Sequence, residues 1–89
     1  MATSTLQQNT KHESIIISMT IAADLILSEV FTPNIPSGYS IESINLHSDH
    51  FAFIALGWAL SGGVYRVFVK NVAKGERTGN VYVEIVYTK

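Results

Sequence analysis

The sequence contains no cysteine, which removes disulfides, thiolate metal sites and thiol nucleophiles and fits a reducing compartment or a fold stabilised by other means. Charge is scarce. Charged residues make up 15% of the 89 residues against 47% hydrophobic ones, a low share for the surface of a small free monomer, and one that points to an oligomer. Six Lys and Arg against seven Asp and Glu give a net charge of −1. That balance supplies no basic field to neutralise a phosphate backbone or hold an anionic membrane, so neither nucleic acid nor membrane insertion is expected. No apolar stretch reaches the roughly 18 residues of a membrane span. The opening MATSTLQQNTKHES lacks the basic start and apolar run of a signal peptide. Proline occurs only at Pro33 and Pro36, inside TPNIPSG, where fixed φ angles and lost ladder donors mark a loop.

What is present is period two. A chain of this length forms one domain around one core, and we expect it over residues 13–89, with residues 1–12, polar and aperiodic, as a flexible arm. Ile15, Ile17, Met19 and Ile21 recur at period two against Ser14, Ser18 and Thr20, as in a half-buried strand. DLILSEVF at 24–31 reads as a second strand, although Asp24 is also placed to cap a short helix. YSIESINL at 39–46 switches apolar parity around Glu42 and Ser43, which one inserted residue, a β-bulge, would produce. FAFIALGWAL at 51–60 is apolar on both parities and is expected to be covered on both sides, so Phe53, Ile54, Leu56, Trp58 and Leu60 are assigned to the core or to an oligomer interface. Ser61, Gly62 and Gly63 form a tight turn into VYRVFVK, which makes a hairpin. NVAKGERTG at 71–79 reads as a solvated loop, and NVYVEIVYTK closes the chain as an alternating strand. The expected fold is all-β: a small antiparallel β-sandwich, jelly-roll-like, of about six strands.

The segment HSDH at 47–50 raises the question of chemistry. Zinc needs three or four converging ligands, and an extended strand would point His47 and Asp49 one way and His50 the other. A polar turn is the simpler reading, with a site shared between copies as the alternative, each chain of a trimer supplying one histidine. No serine lies in a nucleophile elbow and no glycine-rich loop precedes a helix, so neither an enzyme nor a bound cofactor is expected. Trp58 and the four tyrosines suit core, interface or a sugar platform alike, and Tyr82, beside Glu84 and Thr88, is the most plausibly exposed.

From Gly38 onward the order of elements has a recognisable texture: GYSIESINL, a strand ending in WALSGG, VYRVFVKNVAKG, then a terminal alternating strand with a tyrosine near its end. This resembles the C-terminal domain of tailed-bacteriophage virion proteins such as tail fibres, baseplate adhesins and head fibres, most specifically in VFVKN at 67–71. The loop after Asn71 departs from that pattern in its charges, Lys74, Glu76 and Arg77, as does HSDH between strands. The resemblance implies a β-sandwich, often a homotrimer, located in the virion and assembled in the host cytoplasm. Its implied partners are other virion proteins and a host-surface glycan or protein. On this reading Tyr82, Lys74, Arg77, His47, Asp49 and His50 are candidate ligand contacts, in loops at 32–38, 47–50 and 71–79. The alternative is a stand-alone carbohydrate-binding, lectin-like sandwich.

Overall fold

The computed structural model describes residues 9–89, all six of whose elements are strands: β1 (Thr10–Ile21), β2 (Ile26–Phe31), β3 (Ser40–Ser48), β4 (Phe53–Ser61), β5 (Val64–Asn71) and β6 (Arg77–Thr88). They form two antiparallel three-stranded sheets in the orders β1-β6-β3 and β2-β5-β4. The strand begins at Thr10, so residues 10–12, expected in the arm, extend β1, and residues 1–8 of that arm lie outside the described residues.

The alternation decides which faces meet. Val81, Val83, Ile85 and Tyr87 of β6 point inward with Met19 and Ile21 of β1 and with Phe31, Phe53, Val67 and Val69 from the second sheet, in one core cluster drawn from both sheets. Burial of such side chains at roughly 25 cal/mol per Å² is the main term favouring the fold.

Two bulges adjust the pattern. In β3 the register slips between Ile41 and Ser43, where the sequence predicts an extra residue. In β4 it slips between Ala55 and Gly57, and this corrects the parity expected there. Ile54 stands opposite Lys70, but beyond the slip Trp58 stands opposite Val67 and Leu60 opposite Tyr65, so Trp58 and Leu60 share the inward parity of Phe53 rather than that of Ile54. An unbroken apolar run hides such a slip, because either parity reads the same. The bulge uses a φ of 151° at Gly57, a conformation open to glycine alone.

The turns follow local chemistry. Gly62 and Gly63 both have positive φ, 59° and 78°, between the paired Ser61 and Val64, as a type I′ hairpin requires. Asp24 has φ 63°, so the residue that could have capped a helix makes a left-handed turn between β1 and β2. NVAKGERTG is shorter as a loop than expected, because Arg77, Thr78 and Gly79 already pair with β1.

β1 and β2, β3 and β4, and β6 and β5 take matching places in the two sheets, as two pairs of edges and one pair of centres. The chain crosses between sheets four times: at residues 22–25, 49–52 and 72–76 it joins matching places, and at 32–39 it runs from the β2 edge to the opposite edge, β3. Asn71 ties the crossings at 22–25 and 72–76. It is fully buried, and its Nδ2 donates to the carbonyls of Ile21 at 2.9 Å, Ala22 at 3.3 Å and Gly75 at 3.0 Å, while its Oδ1 accepts from the Ala73 amide at 2.9 Å. The Asn71 amide donates to Leu25 O and the Val72 amide to Ala52 O. One side chain thus satisfies buried backbone groups that the crossing strands leave unpaired.

Candidate functional site

The outward face of the β1-β6-β3 sheet is mostly polar and internally bonded, with Ile16, 62% exposed, as its apolar exception. Register places Ile16, Tyr82 and His47 in one row and Ser14, Glu84 and Asn45 in the next. The His47 and Tyr82 rings stack at 4.8 Å and 8°. His47 Nε2 lies 3.3 Å from Glu84 Oε2, which also accepts from Ser14 Oγ at 3.0 Å. A contact this exposed contributes about 0–1 kcal/mol.

HSDH is resolved into a bonded turn. Asp49 accepts from the Asn80 amide at 2.9 Å, from Asn80 Nδ2 at 3.2 Å and from Tyr82 Oη at 3.3 Å. The Asn80 backbone bond foremost, with the two side-chain donors, outweighs the cost of desolvation and holds the Asp49 carboxyl below its ordinary range. Ser48 Oγ accepts from the His50 amide at 3.1 Å and donates to Asn80 O at 3.0 Å, and His50 Nδ1 accepts from the Ala52 amide at 3.0 Å. His47 faces Tyr82 while the His50 ring stacks on Phe51 and Phe53, so the two histidines do not converge. Among the described residues no group of three or more His, Asp or Glu is placed to hold a metal ion.

Of the candidate ligand contacts, the structure unites His47, Asp49 and Tyr82 on one exposed surface. His50 is half-buried under Phe51, Lys74 is exposed in the 72–76 connection, and Arg77 folds back to donate to Glu76 O at 2.9 Å. The three expected loops do not form one surface. Segments 47–50 and 71–80 meet at the crossings through Asp49 and Asn80. The 32–38 loop instead reaches Glu13, whose carboxylate accepts from the Asn34 amide at 3.0 Å and from Asn34 Nδ2 at 2.8 Å. Glu13 pairs with Ile85, eight residues along β1 from the Ile21–Arg77 pair beside the crossings, a separation of about 27 Å at about 3.4 Å per residue.

The β2-β5-β4 sheet is the opposite case. Of the five residues assigned to core or interface, Phe53 is buried, whereas Ile54, Leu56, Trp58 and Leu60 are 41% to 53% exposed in the single chain. Ile26, Val30 and Val64 are exposed as well. Ile26, Leu56, Gly57, Trp58 and Phe68 line an apolar groove of about 340 Å³ over the β4 bulge.

Three features escaped sequence reasoning. Asn71 is the asparagine that ends VFVKN, but nothing local announces its partners. Gly79 is required by a close approach, since a Cβ there would lie 2.7 Å from His50 Cβ. Tyr87 donates its hydroxyl to Glu13. Burial alone would raise the Glu13 carboxyl, but the Tyr87 and Asn34 hydrogen bonds overcome it and leave the group lowered; burial and the neighbouring carboxylate push the Tyr87 phenol up. Set beside known proteins, the chain matches no family model, no curated protein and no solved structure.

Proposed function

We propose that the chain is a non-catalytic structural or host-adhesion module of a tailed-phage virion, acting through self-assembly as a homotrimer and located in the virion after assembly in the host cytoplasm. The observation that carries the reading is the exposed apolar sheet β2-β5-β4. Ile26, Val30, Ile54, Leu56 and Val64, with Trp58 and Leu60 at its β4 edge, are open in the single chain around Arg66 and Lys70 of the central strand, and large apolar side chains exposed in such number mark an interaction surface. The jelly-roll-like sandwich is supported by the strand orders β1-β6-β3 and β2-β5-β4, with three of the four crossings joining matching positions. Asn71, the asparagine that ends VFVKN, holds the crossings at 22–25 and 72–76 together. The test is light scattering of the purified protein. A trimer has three times the 9.8 kDa chain mass, and a species of 9.8 kDa at all concentrations would refute self-assembly.

The lectin-like reading is favoured by one observation, the exposed His47–Tyr82 stack flanked by Asp49 and Glu84, which combines ring surface with hydrogen-bonding groups. Glycan-array binding by a monomer, abolished by Tyr82→Ala, would support it over the virion reading; adhesion by an oligomer through the same surface would join the two.

A further inference from the structure

Phe51 is 89% exposed, yet the turn that presents it is held firmly. Its ring stacks on His50 at 4.8 Å, and His50 is fixed by the Ser48 hydroxyl on its amide, by the Ala52 amide on its Nδ1, and by Phe53 against its ring at 4.9 Å. The Val72 amide donates to Ala52 O at 2.9 Å, setting the exposed Val72 beside the same turn. A large apolar ring held in water at the tip of a bonded turn is preorganised for insertion, since little freedom remains to be lost on binding.

The same chain contains a groove of matching chemistry. Ile26, Leu56, Gly57, Trp58 and Phe68 line an open groove of about 340 Å³ with no charged side chain in the lining. Its floor is open because Gly57 has no heavy atom within 4 Å of the position a Cβ would take. Phe51 cannot fill its own groove, since Leu56 lies five residues further along the chain, about 17 Å away in extended strand.

We infer that the groove over the β4 bulge receives Phe51 of a second copy of this chain. The inference rests on the self-assembly reading and specifies its contact. An inserted phenylalanine buries about 150–250 Å². Knob and groove are different patches, so each copy offers one and accepts the other. They join reciprocally in a pair or head to tail in a closed ring such as a trimer.

The test uses Phe51→Ser, which removes the knob, and Leu56→Glu, which blocks the groove; both sites are exposed. Each variant alone should show association weakened by about 30-fold or more, the scale of a hot-spot residue, and sediment near the 9.8 kDa chain mass with a strand-type circular dichroism spectrum. An equimolar mixture should form a one-to-one pair, because the intact groove of one variant meets the intact knob of the other; with no second knob or groove left it should close no ring and bind more weakly than the wild type. If Leu56→Glu fails to fold, Ile26→Glu replaces it. A wild-type oligomer unchanged by Phe51→Ser overturns this contact and leaves self-assembly standing, as does a mixture that stays monomeric; a monomeric wild type overturns both.

Discussion

The two outward faces of this small protein use their side chains in opposite ways. On the β1-β6-β3 sheet, Ser14, Glu84, His47, Tyr82, Asp49 and Asn80 bond to one another across three strands, so the face is complete within one chain. On the β2-β5-β4 sheet, Ile26, Val30, Ile54, Leu56 and Val64 lie open, and no polar network replaces what burial would supply. The contrast teaches that a core and an interface need not differ in composition. Both sheets turn one apolar face into the core, and the β2-β5-β4 sheet carries further apolar side chains on its open face.

The largest break in that comparison comes where the sheets join. Asn71→Ala would leave the carbonyls of Ile21, Ala22 and Gly75 without their side-chain donor, and at about 1–3 kcal/mol per unsatisfied buried group we expect a loss of 3 kcal/mol or more, ~3–5 in all. Urea unfolding measures it; a loss below about 1 kcal/mol would mean that water replaces the amide. Next, Gly79→Ala drives a methyl to 2.7 Å from His50 Cβ and 3.2 Å from Phe53, an overpacking expected to cost about 1–3 kcal/mol. Unchanged stability there would show that the 49–52 turn yields freely.

Smaller effects probe the polar side. The folded Glu13 carboxyl titrates below its ordinary 4.5, so it contributes stability that is present above 4.5 and lost as the pH falls through the lower folded value. Glu13→Gln should flatten that acid limb of the stability curve, measured by urea midpoints taken at decreasing pH; an identical limb in the variant would assign it to other carboxylates, Asp49 first. Smallest of all, His47→Ala removes a stacked ring and an exposed ion pair and should cost no more than about 1 kcal/mol, with association unaltered. A loss of association would place the polar face in the interface.

Much of this architecture was legible in the sequence because strands with one buried face alternate. β1, β5 and β6 read directly, and the β3 bulge declared itself when Tyr39 and Ile41 gave way to Ile44 and Leu46. The β4 bulge left no such trace, since Ile54, Ala55 and Leu56 are apolar on either parity. The turn character of HSDH followed from Ser48 and Asp49, but its partners Asn80, Tyr82 and Glu84 lie more than thirty residues away, and only strand pairing brings them together. For the same reason the bonds of Asn71 to Ile21 and Ala22 and that of the Glu13–Tyr87 pair were unreadable: they link positions about 50 and 74 apart in the chain, a separation no local propensity encodes.

The central claim is that other copies of this chain cover the β2-β5-β4 sheet, and sedimentation equilibrium of the wild type beside Leu56→Asp tests it most directly. The account predicts a wild-type mass of three chains of 9.8 kDa and a folded, monomeric variant, because an unpaired carboxylate cannot be buried there without a large desolvation penalty. A wild type that sediments as a single chain, or a variant that assembles as the wild type does, would contradict it.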